Sequence, residues 1–345
     1  MAYISFQPSD FFNTKLYTGN SSTNAITGVG FQPDFTWLKK RNGVDGHNLF
    51  DTVRGATKVI QSSSSNAEST EATKLQSWQS DGFTLGNNAV VNGSFNFASY
   101  NWKAGTTSGK TTSGETITPT AYSINPTSGI GIYAWNGSAG AGTIAHGLSS
   151  APKFFMVKRL DGIANWYGSS SMLTSGDWSL YLNNTNAQTN TGSALWNSTF
   201  PSSTVMSLGA DGDVNGASRN FIMYAFAPVK GFSAIGKYEG NGNVDGPFIY
   251  TGFRPGFVII KNIDRSEGWN MYDTKRSPVN LGTSNTLKAD STVAEDDDST
   301  IAIDILSNGF KVRTTSTEIN LSTSMYMAFA EFPFVSSNSK AGTAR

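Results

Sequence analysis

The sequence predicts an all-β protein made of three tandem antiparallel β-sandwiches, and three observations carry that expectation. Only 14% of the 345 residues are charged, while 36 glycines, many Ser, Thr and Asn residues and 12% aromatics favour short strands and tight turns over helices. No stretch carries a long amphipathic-helix period. The pattern Pro-x-Phe-x-x-x-Lys occurs three times with identical spacing, at Pro33/Phe35/Lys39, Pro152/Phe154/Lys158 and Pro255/Phe257/Lys261, so an internal repeat sets the architecture.

The elements follow in the same order in each copy. An aromatic-x-Gly-polar turn comes first, at Tyr17–Asn20, Trp135–Ser138 and Tyr238–Asn241. The proline then starts an extended segment in which Phe35, Trp37 and Lys39 share one face, as do Phe257, Ile259 and Lys261, with Leu38, Val157 and Ile260 on the other. Such a segment reads as a strand buried on both faces in its middle, its lysine leading back toward water. Next, the first and third copies share aromatic-Asp-Thr-x-Arg, at Phe50–Arg54 and Tyr272–Arg276. Copy two has Ser169–Leu173 there, although Trp166 still aligns with Trp269 and both align with His47. Leu85–Gly93 then matches Leu208–Gly216 without a gap, and Gly309-Phe310-Lys311-Val312 repeats Gly82-Phe83-Thr84-Leu85. An aromatic strand closes each copy, at Phe97–Trp102, Phe221–Phe226 and Met325–Ala330.

The expected domains are therefore repeat 1 at 1–105, a Gly/Thr/Ser-rich linker plus repeat 2 at 106–229, and repeat 3 with a short C-terminal tail at 230–345. Each is expected to enclose its own core, with Phe35, Phe154 or Phe257 inside.

Composition also narrows the function. The 25 basic and 25 acidic residues cancel, so no broad attraction to nucleic acid or anionic membrane is expected. Cysteine is absent, which excludes disulfides, thiolate metal sites and a cysteine nucleophile. The first residues lack a basic n-region and a long apolar run, and no later apolar run is long enough to span a bilayer, so neither a signal peptide nor membrane insertion is expected.

Catalytic motifs fail on inspection. Gly105–Thr111 resembles a phosphate-binding loop but is one residue short between its glycines and lacks a following helix, so it has no amides to aim at phosphate. His47 and His146, the two histidines, have no nucleophile elbow or zinc-type spacing nearby. Asp211-Gly212-Asp213 and Glu295–Asp298 have enough oxygens to attract calcium but lack a calcium-loop spacing, and solvated turns explain them as simply. No catalytic residue, cofactor or metal is expected. The candidate ligand-binding residues are Trp166, Tyr167 and Trp269, whose flat rings suit a sugar or a protein partner, and Asp51/Arg54 and Asp273/Arg276, which suit a ligand hydroxyl. A core tryptophan in each copy and a local ion pair pinning a loop are the competing structural roles.

The segments Phe11–Asn20, Gly30–Pro33, Leu49–Ala56 and Tyr100–Gly105 together resemble a repeat of tail-fibre and other virion structural proteins of marine phages, especially short-tailed phages of cyanobacteria. The resemblance covers nearly the whole chain and is strongest in copy one. It implies concanavalin-like or jelly-roll sandwiches, a location on the virion surface after assembly in the host cytoplasm, and no catalytic residues. The expected function is a non-enzymatic tail or adhesion appendage, fibre or knob, that contacts other virion proteins and a host-surface glycan or protein. A capsid decoration or cement protein is the alternative, and a polysaccharide depolymerase with two facing carboxylates is the third. Low charge and many aromatics further suggest a symmetric homo-oligomer, a trimer first.

Overall fold

A computed structural model describes residues 6–333. The expected C-terminal tail and the first five residues lie outside the described residues. Among the described residues strand accounts for 43% and helix for 6%, in several antiparallel sheets with no barrel, as expected of an all-β sandwich protein.

Each proline-led segment forms a strand: Phe35–Lys40, Phe154–Arg159 and Phe253–Asn262. Each pairs antiparallel with the closing aromatic strand of its own copy, Asn96–Trp102, Asn220–Phe226 or Leu321–Pro333. The registers correspond, with Phe35 opposite Trp102, Phe154 opposite Phe226 and Phe257 opposite Phe329. On its other side the closing strand pairs with the first long strand of the copy, Phe12–Thr18, Ile130–Asn136 or Ser233–Asn241. On its far side the proline-led strand pairs with Asn48–Asp51, Trp166–Ser170 or Trp269–Asp273. A smaller sheet faces each larger one: Asn24–Ile26 with Gly82–Leu85 and Leu75–Gln79, Gly142–Ala145 with Val205–Leu208, and Phe248–Tyr250 with Gly309–Val312 and Ile303–Leu306.

Because side chains alternate along a strand, each larger sheet has two apolar faces, and they go to different places. Leu38, Val157 and Val258/Ile260 face the smaller sheet of their own repeat and build a local core there. Phe35, Phe154 and Phe257 do not. They point the other way, into one central core that also takes Trp102, Phe226, Phe329, Trp166 and Trp269. The three separate cores expected around these phenylalanines are thus replaced by three local cores plus one shared core. Rings from different repeats meet directly there: Phe35 with Tyr224 at 4.4 Å, Tyr100 with Phe257 at 4.7 Å and Phe12 with Phe329 at 5.0 Å between centroids. A void of only about 10 Å³ remains at the centre, so the packing is tight.

The turn glycines explain how each repeat closes at its end. A Cβ on Gly19, Gly137 or Gly240 would come within 1.9, 2.1 and 2.1 Å of backbone in the loop before the closing strand. Only glycine permits this approach. A single helical turn precedes each closing strand, capped by Asn88, Asp211 or Ser316. Each turn ends in a buried asparagine, Asn92, Asn215 or Asn320, whose side-chain oxygen accepts the backbone N–H of Asn20, Ser138 or Asn241. Copy three thus keeps this device although its sequence match is faint. The segment expected to be a linker is docked on repeat 2: Thr106 bridges to Ile124, and Lys110 and Glu115 form a buried ion pair.

Candidate functional site

Apart from Tyr167, the residues proposed as ligand contacts converge on the seams between repeats. Lys39, Lys158 and Lys261 are at most 1% exposed, so the expectation that they lead toward water is wrong. Each donates to a carbonyl six residues on in its own repeat, Asp45 (2.7 Å), Ala164 (2.7 Å) or Glu267 (2.7 Å). Each also donates to a carbonyl of another repeat, Thr292 (3.1 Å), Ser65 (2.9 Å) or Thr185 (3.0 Å). Repeat 2 thereby clasps repeat 1, repeat 3 clasps repeat 2, and repeat 1 clasps repeat 3. The chain closes into a pseudo-threefold ring. Burial in sites where carbonyl oxygens are the hydrogen-bond acceptors lowers all three ammonium groups to a pKa of about 8.

The aligned ring residues reinforce the same seams. Trp166 Nε1 donates to the Gln61 carbonyl (2.8 Å) and Trp269 Nε1 to the Tyr181 carbonyl (2.9 Å). His47 takes the third position, its Nδ1 accepting from Trp37 Nε1 (2.7 Å) and its Nε2 facing the Lys288 carbonyl (3.0 Å). These partners require a neutral imidazole with its proton on Nε2, and burial, with Lys39 adding to it, holds the His47 pKa well below the usual range. Both tryptophans are 2% exposed or less, so they are core and seam residues with no face for a sugar. Tyr167 points to the other side of its strand, half-buried, with its hydroxyl 3.3 Å from Asp213.

Asp51/Arg54 and Asp273/Arg276 form buried ion pairs in the i, i+3 arrangement. Each carboxylate also accepts from backbone N–H of its own loop and, from another repeat, from a tyrosine hydroxyl: Tyr224 to Asp51 at 2.6 Å and Tyr100 to Asp273 at 2.9 Å. The hydroxyl that the motif orients therefore belongs to the chain itself. Each guanidinium reaches a second carboxylate, Glu68 for Arg54 and Glu295 for Arg276. Burial alone would lower both arginine pKa values, but the facing carboxylates and tyrosines outweigh it. At the third seam Ser170 and Leu173 replace the Asp and Arg, and Met327 stands at the register position of Tyr100 and Tyr224. Ion pair and tyrosine are absent together there, and the polar links of that seam are the Lys261 and Trp269 bonds to backbone carbonyls with those of Gln188 to repeat 3.

The remaining polar candidates also have structural partners. Asp211 caps the helical turn by accepting from the Asp213 N–H (2.7 Å), and Glu295 makes a two-pronged pair with Arg41 across a seam. His146 accepts from the Leu148 N–H (3.0 Å). A crevice of about 630 Å³ is lined by Glu267, Asp290, Glu295 and Glu318. Within it Glu318 pairs with Lys288 and Asp290 accepts from the Trp269 N–H. Among the described residues no group of three or more His, Asp and Glu side chains could hold a metal ion, and no helix is long and apolar enough to cross a membrane.

The sequence matches the domain of unknown function DUF7483 over residues 7–333, nearly the whole chain and all three repeats. The chain belongs to this family. No curated protein matches it. The DUF7483 match spans all three seams, so the ring and its buried clasps lie within the family's own boundaries.

Proposed function

We propose that this DUF7483 chain is a non-enzymatic structural protein of a phage virion, acting on the tail or adhesion apparatus to hold the particle to its host. One observation carries the reading. The polar residues that recur between copies, the lysines, the Asp–Arg pairs and the seam tryptophans, are buried in contacts between repeats. Such a molecule is a rigid scaffold that presents loops and sheet faces. The sequence resemblance to virion proteins supplies the setting. Attachment through several weak contacts gains from repetition, because each bound module raises the effective concentration of the next. On the particle the chain is proposed to work as a homo-oligomer, a trimer first, beside other virion proteins.

The pseudo-threefold ring favours a second reading, a capsid decoration or cement protein, since a threefold body suits a threefold position on a closed lattice. Gold-labelled antibody on intact virions separates the two. A few to a few dozen labels at the tail vertex are expected; hundreds over the head would mean decoration, and no label on any virion would end both readings. The purified protein is also expected to release no reducing ends from host envelope polysaccharide, and release abolished by a single carboxylate substitution would make it a depolymerase.

A further inference from the structure

We propose that the outer face of the smaller sheet in repeat 3 is a recognition surface for a neutral surface polysaccharide, with Phe248 and Tyr250 stacking on its sugar rings; this rests on the attachment reading above. The two rings stand two residues apart on the edge strand Phe248–Tyr250, so they share a face, while Ile249 between them points into the local core. They are 45% and 58% exposed. The Phe248 ring lies against Gly309 on the neighbouring strand, the closest ring atom 3.1 Å from where a Cβ would stand.

The fold does not require aromatics here. Ile249 pairs with Phe310 as Ile26 pairs with Phe83 and Ile144 with Met206, so the corresponding pairs are Ala25/Thr27 in repeat 1 and Thr143/Ala145 in repeat 2. Residues that serve the fold recur in the copies; this pair occurs in one. Repeat 3 also holds eight of the eleven large apolar side chains that stand exposed among the described residues. One repeat of the ring is thus dressed for contact.

Charge decides the class of partner. Beside the rings Lys311 pairs with Asp245 (2.8 Å) and Arg313 with Asp304 (3.3 Å), two cations matched by two carboxylates. A face with no net charge but with both donors and acceptors suits hydroxyl groups better than sulfates or carboxylates. The polarised C–H face of a pyranose meets the negative face of an aromatic ring, which explains why flat exposed rings select sugars.

The full chain should be titrated by saturation-transfer NMR with cellohexaose, maltohexaose, chitohexaose and mannohexaose, and with a heparin hexasaccharide as the anionic comparison. At least one neutral hexasaccharide should bind, and Tyr250→Ala should weaken it by about tenfold, while Tyr250→Phe, which keeps the ring, should not. Tyr250 is the primary site for substitution because Phe248→Ala uncovers Gly309. The proposal is overturned if no neutral hexasaccharide binds, if only heparin binds, or if Tyr250→Ala binds as the parent does. Adsorption to host envelopes separates the two levels: equal adsorption by parent and Tyr250→Ala overturns this site but leaves the attachment reading standing, whereas no adsorption by either overturns both.

Discussion

A buried ammonium among carbonyl oxygens is costly, because two or three dipoles replace its hydration less well than a carboxylate would. Lys39, Lys158 and Lys261 meet that cost three times over at equivalent positions, which makes them a built feature of the ring. Their folded pKa of about 8 lies below the unfolded value, so from pH 8 to about 10 the unfolded chain binds more protons and stability rises with pH. The rise should be on the order of 1–2 kcal/mol per lysine. Above about pH 10 the trend reverses, because burial raises Tyr17, Tyr100, Tyr133 and Tyr224 well above their usual value while tyrosines of the unfolded chain ionise. Thermal melts between pH 7 and 11 should therefore show a maximum near pH 10, and a steady fall from pH 8 would contradict the buried cations. Lys158→Met should remove about a third of the rise and cost about 1–3 kcal/mol at pH 7, by leaving the Ala164 carbonyl without its donor, while the Ser65 carbonyl keeps the Ala164 N–H.

At the scale of elements, the proline-led strand does two jobs through its two faces, and its neighbours tune the outer one. Tyr224→Phe and Tyr100→Phe each remove a donor from a buried carboxylate, and each should cost about 1–3 kcal/mol in chemical denaturation. Met327→Tyr should cost a similar amount for the opposite reason, bringing a hydroxyl to a seam that has Ser170 and Leu173 in place of the Asp–Arg pair. Adding Ser170→Asp and Leu173→Arg to Met327→Tyr should recover part of that loss. If the triple variant is no more stable than Met327→Tyr alone, the seams are not interchangeable. The motif and its partner stand at opposite ends of the chain's contacts, Asp51 and Tyr224 being 173 positions apart, as are Tyr100 and Asp273. No local reading joins them.

At the scale of the molecule, the shared core makes the three repeats interdependent. A single repeat would leave the Phe35, Phe154 or Phe257 face open to water, a loss of burial worth about 1.5–3 kcal/mol for each large apolar side chain. Residues 1–105 or 230–333 expressed alone should lack a cooperative thermal transition and bind a hydrophobic dye, while the full chain melts in one step. Sharp melts from isolated repeats would restore three independent domains. The central core also takes up much of the apolar surface from which a homo-oligomer was expected, so light scattering of the purified chain tests that proposal directly, a mass near 36.9 kDa counting against an oligomer free in solution.

Read on its own, the sequence determined the all-β class, the threefold repeat and the strand at each proline, because turn residues, two-residue alternation and fixed spacing are local properties. It also determined that both faces of that strand are buried. What lay against each face was decided only by the tertiary structure: alternation separates Phe35 from Leu38 but cannot say that one meets its own repeat and the other two further repeats. The lysine looked like a strand end because its acceptors are backbone carbonyls, which leave no mark in a sequence. Trp166, Trp269 and the Asp–Arg pairs looked like ligand contacts because the partner they were built to hold is the next copy of the same fold. Phe248 and Tyr250 carry no mark in the sequence for the converse reason, since an aromatic at alternate positions of a strand reads as core although here the opposite face is the buried one.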